Sequence, residues 1–249
     1  MTRSPAPASP TAGGPPHRVI VVKVAEIRRY PIKSLLGEVL PAAAVGSRGL
    51  DGDRLWAVRD TGGKFGSGKN TRRFRRMDGL LHLRGYAGEV PEVELPSGAR
   101  FRADDPLGHA AVSAYLGREV TFAREDTVPH HDEGPVSVIT TAALRRLASL
   151  TGGPVEPARF RANLLLDVPG DGFPEDDWLS RPLRVGRSVI LRPQRRLTRC
   201  VMVDMAQGDL AARNDLLKLL ADRHELTFGV WATVLHPGPV AVGDECRLA

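Results

Sequence analysis

The residues best equipped for chemistry sit in one stretch, Arg195-Arg196-Leu197-Thr198-Arg199-Cys200-Val201-Met202-Val203-Asp204. It sets Cys200, one of only two cysteines, among three arginines just before a β-branched run. A guanidinium beside a thiol favours the thiolate, the form that attacks electrophiles or ligates a soft metal. The same pattern also fits a small buried hydrophobe in an apolar strand. Asp204 closes the stretch, either as a carboxylate that relays protons or orients water, or as a turn residue after a strand over 201–203.

A second set of residues suits an anion. Pro31 ends a first strand and exposes Lys33 and Ser34, and the turn Gly49-Leu50-Asp51-Gly52-Asp53-Arg54 presents Arg54 at a strand end. In a predicted strand Phe160-Arg161-Ala162-Asn163-Leu164-Leu165-Leu166, Arg161 and Asn163 face the same way. They line a pocket or form the solvent face of an edge strand. Thr140 or Thr141 starts a helix over 142–150, and its free backbone N–H groups suit an anion, although a simple cap accounts for the threonine equally well.

Other motifs carry less. Gly63-Lys64-Phe65-Gly66-Ser67-Gly68-Lys69 has the spacing of a phosphate-binding loop, but Asn70 stands where a magnesium-binding hydroxyl is needed. Leu164-Leu165-Leu166-Asp167 imitates the matching second motif, yet no series of β-α units joins the two, which argues against nucleotide hydrolysis. Thr71 to Arg76 reads as a solvated basic loop in preference to a nucleic-acid site. His130 and His131 are adjacent in a polar segment with no third ligand at metal spacing, and are expected at the surface.

These residues must be positioned by elements the sequence also suggests. Strands are expected at 19–27, 39–40, 55–58, 80–83, 90–95, 99–102, 120–122, 136–139, 160–166, 184–191, 228–235 and 240–248. Helices are expected from Asp105-Pro106 to Gly117, from 142 to Gly152-Gly153, and from Asp209 to Leu226. Many short strands with three helices predict a β-dominated, barrel-like α+β fold. A chain of 249 residues and 27.0 kDa with 42% hydrophobic and 26% charged residues is ordinary for a globular protein, and no apolar run is long enough for a transmembrane helix. The first 17 residues lack an apolar export segment and read as a disordered tail, which leads to a cytoplasmic expectation with reduced thiols; a Cys200 to Cys246 disulfide is the alternative. The net charge is +6, and only five of the 35 basic residues are lysines (Lys23, Lys33, Lys64, Lys69, Lys218). Arginine suits phosphates and carboxylates, though coding bias accounts for most of these residues.

Several elements, taken in order, resemble the MOSC family, named for the C-terminal domain of molybdenum cofactor sulfurase, together with its N-terminal β-barrel domain. They are Tyr30-Pro31-Ile32-Lys33-Ser34, Gly49-Leu50 with Asp53-Arg54-Leu55-Trp56, Phe160-Arg161-Ala162-Asn163, Arg199-Cys200 with Val203-Asp204, Phe228-Gly229, and Gly238-Pro239-Val240-Ala241-Val242-Gly243-Asp244. The likeness covers nearly everything after residue 18 and is similar to the branch that includes the mitochondrial amidoxime-reducing component and its bacterial relatives. The resemblance implies a tail over 1–18, an N-terminal barrel domain over 19–112 and a MOSC domain over 113–249. It implies a molybdenum cofactor, a molybdopterin whose metal is held by Cys200, with contacts from Lys33, Ser34, Arg54, Thr140, Arg161, Asn163, Thr198 and Arg199. The implied activity is reduction of N-hydroxylated compounds such as amidoximes, hydroxylamines and N-hydroxylated bases, and the alternative is a non-catalytic carrier of cofactor or of sulfur on Cys200. Expected partners are a small N-oxygenated substrate and external electron donors of ferredoxin or flavoprotein reductase type, with neither nucleic acid nor membrane. Leu197 stands where relatives often carry a second cysteine, Ala162 where they carry proline, and no cysteine cluster or pyridoxal domain is present.

Overall fold

The computed structural model describes residues 22–248; the tail expected over 1–18 and the first residues of the expected strand, 19–21, lie outside the described residues. Seven strands close a barrel in the order Val22–Arg29, Glu245–Leu248, Leu183–Val185, Val189–Thr198, Thr227–His236, Val136–Thr140 and Leu164–Asp167, the last pairing back onto the first. Closure leaves no open edge on this ring. All its neighbours are antiparallel except Val136–Thr140 with Leu164–Asp167, and between those two runs helix α2, Thr141–Thr151. This is the crossover a parallel pair requires.

Periodicity and its interruptions explain which side chains enter the barrel. Val24 and Ile27 are both buried although an odd number of residues apart, because a bulge between Val24 and Glu26 moves the strand one residue against its partner. In Val189–Thr198 the buried residues Val189, Leu191 and Leu197 keep one phase despite register shifts at Ile190/Leu191, Pro193/Arg195 and Arg196/Thr198. The last shift sits at the strand end that leads into Cys200.

A smaller sheet abuts the barrel. It joins Val120–Arg124, Trp56–Asp60, Phe65–Ser67 and Phe74–Arg76, with Ile32–Lys33 added in parallel to Trp56–Asp60. Its core gathers Ile32, Leu35, Val58, Leu80, Leu83 and Phe122 under helix α1, Pro106–Leu116. Helix α1 is capped by Asp105 and ended by left-handed Gly117, as the sequence suggests. A third core lies under α2 and helix α3, Leu216–Arg223, around Leu147, Phe160, Leu216, Leu220 and Phe228.

Four expectations are corrected. Phe160 ends a 3-10 turn over Pro157–Phe160, Arg161 follows in left-handed backbone, and the strand starts only at Leu164, so Arg161 and Asn163 do not alternate on a strand. Val201–Val203 is also a 3-10 turn: Val203 is drawn into the core under α3, and packing overrides the β preference of its residues. Leu80–His82 is a 3-10 turn instead of a strand. The basic segment after Thr71 is partly a strand, with Phe74 buried.

Candidate functional site

One cavity lies at the seam between the barrel rim and the smaller sheet. Eight of the ten expected site residues line it: Lys33, Ser34 and Arg54 from the sheet side, and Arg161, Asn163, Thr198, Arg199 and Cys200 from the barrel side. The cavity volume is about 200 Å³. That is room for more than a single water or simple ion.

The cationic end is built from residues in costly conformations. Ser34, Arg54 and Arg161 all have positive φ (66°, 52° and 53°), half of the non-glycine residues that do among those described. Such backbone persists only where the surroundings impose it. Ser34 Oγ donates to the Gly66 carbonyl at 2.9 Å, and Arg54 Nη2 donates to the Arg161 carbonyl at 2.9 Å. The Arg54 and Arg161 guanidiniums both stack on Tyr30, at 4.8 and 4.4 Å from its ring centre. Arg54 has a carboxylate beside it in fully buried Asp53, but among the described residues Arg161 has none within salt-bridge distance: its Nη2 reaches the Leu35 carbonyl at 2.6 Å and its Nη1 is buried with no partner among them. Burial pulls the Arg161 pKa down to about 10. Burial also lowers the pKa of Lys33, whose Nζ donates to the His130 carbonyl at 2.8 Å and to Asp132 Oδ1 at 2.6 Å.

The thiol end is built differently. Cys200 is a free, half-buried thiol at the start of the 201–203 turn, and Cys246 is a second free thiol inside the barrel core, so the two form no disulfide. Arg199 spends three donors on the wall: Nε and Nη2 donate to the Phe228 carbonyl at 2.8 and 2.6 Å, and Nη1 to that of Phe160 at 2.9 Å. Gly229 is required beside it, because a Cβ there would meet the Val138 carbonyl oxygen at 2.6 Å and its φ is +71°. Asn163 is equally committed: Oδ1 accepts from Ser137 N and Oγ at 3.0 and 2.9 Å, and Nδ2 donates to the Arg28 carbonyl at 3.2 Å. Thr198 is exposed on the wall.

Thr140 and Asp204 do not line the cavity. Thr140 is fully buried, caps α2 by accepting from Ala143 N at 3.1 Å, and donates to Glu175 Oε2 at 2.7 Å. Asp204 accepts from Leu216 N and Leu217 N, both at 3.1 Å, and so fixes the start of α3 well after the expected Asp209. His130 is also corrected: it is wholly buried with its ring edge against Phe65, at 4.8 Å between ring centres, and burial pulls its pKa down to about 4.

Further lining residues escaped the sequence reading. Trp231 Nε1, His131 Nε2 and Arg159 Nη1 are buried donors or acceptors without partners on the wall. Lys69 reaches the rim from the glycine-rich segment, whose Gly68 packs where a Cβ would meet Met202 and Met205 at 2.7 Å. The phosphate-loop likeness was the signal for Lys69; for Trp231 there was none. Among the described residues, no three His, Cys, Asp or Glu side chains converge as metal ligands. A metal at Cys200 must therefore bring most of its ligands with it. The unpaired guanidinium of Arg161, with Lys33 and Arg54 beside it, fits a cofactor that also carries a phosphate.

Residues 125–247 match the family model described as MOSC domain, and residues 21–83 match that described as MOSC N-terminal beta barrel domain. No curated protein matches the chain. Among solved structures, the chain is similar to the YUAD protein from Bacillus subtilis, at 13% identity over 91% of this chain and 94% of that one with a TM-score of 0.45. It is also similar to YiiM from Geobacillus stearothermophilus, at 19% identity over 46% and 54% with a TM-score of 0.37. No helix is long and apolar enough to cross a membrane among the described residues.

Proposed function

The chain belongs to the MOSC family, and on that premise we propose that it is a molybdenum-cofactor-dependent oxidoreductase that removes oxygen from N-hydroxylated compounds. The supporting observation is the convergence of one free thiol, Cys200, and an unsatisfied guanidinium, Arg161, on a single cavity from separate segments. The reaction is R–NH–OH + 2 e⁻ + 2 H⁺ → R–NH₂ + H₂O, in which the N–O bond breaks. When bound, the cofactor supplies the oxygen-atom acceptor and passes on the two electrons drawn from an external ferredoxin or flavoprotein-type donor.

The chain's own residues bind and orient. Cys200 is the soft ligand to the metal. Lys33, Arg54 and Arg161 hold the phosphate from three strand and turn ends, and Ser34 fixes the sheet-side wall through Gly66. Arg199 and Asn163 act one step back: they clamp the wall that carries Cys200 and face the ligand with little free hydrogen-bonding capacity.

Elemental analysis of protein expressed with molybdate, for wild type and Cys200→Ala, tests the assignment. Molybdenum in the wild type and its loss from the folded variant, together with loss of benzamidoxime reduction by a dithionite-reduced dye, is the expected result. Molybdenum retained by the variant overturns it. One observation favours a carrier instead: the carboxylate expected to relay protons, Asp204, is committed to α3. Stable molybdenum with no turnover supports that reading.

A further inference from the structure

We propose that Asp132 is a built-in stand-in for the ligand's anionic group, which pairs with Lys33 at the cationic end of the cavity and must swing out before a phosphate can bind there. The proposal deepens the cofactor reading and rests on it only for the identity of the anion. Asp132 lies on the connection between Val120–Arg124 and Val136–Thr140, far from Lys33 in sequence. Its neighbours fix the connection on both sides: Glu125 Oε2 accepts from His130 N at 2.6 Å, His130 is buried against Phe65, and Gly134 packs on the face of Trp231.

The pair is lopsided. The Lys33 side chain is 3% exposed and that of Asp132 is 62% exposed. A buried ammonium left unpaired is costly, whereas an exposed carboxylate is solvated whether paired or not. Exchange of Asp132 for an incoming anion thus leaves Lys33 paired before and after, with the His130 carbonyl as its constant partner, and a phosphate brings more charge and more acceptor atoms than the carboxylate it displaces. Although the cavity wall takes some water from it, the Asp132 carboxyl is held below its ordinary value by Lys33, then Arg54 and Lys69. Lys33, Arg54, Arg161 and Lys69 line the same cavity as the carboxylate and make up the subsite. Lys69, from the segment with phosphate-loop spacing, is the rim member of that set.

Calorimetric titration of the full chain with inorganic phosphate tests this, on wild type, Asp132→Asn, Asp132→Ala and Lys69→Met. Asp132→Asn and Asp132→Ala should each bind phosphate about tenfold more tightly than wild type, because a like charge has been removed from the subsite, and Lys69→Met should bind more weakly. In wild type, phosphate should also speed amide hydrogen exchange over residues 131–134 as the segment lets go of Lys33. Unchanged or weaker phosphate affinity in both Asp132 variants, exchange that does not speed up, or no phosphate binding in any form overturns the proposal. A lack of molybdenum in purified wild type overturns the cofactor reading and leaves this result standing, so the two failures are separable.

Discussion

Arg199 and Arg161 both carry guanidiniums on the barrel side of one cavity, and burial brings both to about 10. Arg199 donates three hydrogen bonds to two backbone carbonyls and ties the 3-10 turn at Phe160 to the strand at Phe228. Arg161 donates one, leaves Nη1 unpartnered, and sits in left-handed backbone. The first is a strut whose work is finished in the folded protein. The second keeps a buried donor that no described polypeptide atom accepts. The difference teaches that arginine content, which the sequence displays freely, says less about ligand binding than whether the donors are already committed.

Substitutions should break the comparison in a graded way. Arg199→Ala strands two carbonyls and removes three charge-assisted bonds, so urea unfolding should show a loss of about 4 kcal/mol. Glu175 sharpens the rule, because its Oε1 is also without a partner among the described residues but does not line the site cavity. Burial pushes its carboxyl up to about 7 despite the bond from Thr140. Between about 4.5 and about 7 the folded form holds a proton that the unfolded form has released, so stability falls as pH rises through that window, by about 3 kcal/mol in full. Glu175→Gln should remove this slope from the difference between unfolding free energies at about pH 5 and about pH 8.

Smaller effects separate helix capping from chemistry. Asp204→Ala should cost about 1 kcal/mol through the lost cap of α3. Benzamidoxime turnover per bound molybdenum should stay at the wild-type level, and a collapse of turnover in a folded variant would restore Asp204 as a proton relay. Arg161→Ala should change stability by less than about 1 kcal/mol, because an unpaired buried charge leaves while the left-handed backbone keeps its Cβ and its cost. Its phosphate affinity should nevertheless fall sharply, and a large stability loss instead would make Arg161 a second strut.

Much of the fold was legible because it is written locally. Asp105-Pro106 and Gly117 bracket α1, Thr140 and Gly152 bracket α2, and β-branched alternation marks most barrel strands. The turns at Phe160-Arg161 and Val201–Val203 were misread because their residues prefer strands, and only the packing of Phe160 and Val203 under α3 overrides that preference. Convergence of Cys200 with Lys33, Arg54 and Arg161 was legible through the family likeness. The commitment of Asp204, Thr140 and Arg199 was not, since their partners at Leu216, Glu175 and Phe228 are set by tertiary register. His130 was expected outside for a similar reason: nothing in a polar segment announces that Phe65 will cover it.

The ring of strands has a consequence for the birth of the molecule. Val22 lies opposite Cys246, so the opening strand finds one of its two ring neighbours only once residues 245–248 have been synthesised. Pairings so distant along the chain are slow to form, and a nascent chain on the ribosome has an incomplete ring. A closed hoop beside the seam is therefore available to any prosthetic group only once residues 245–248 have been made.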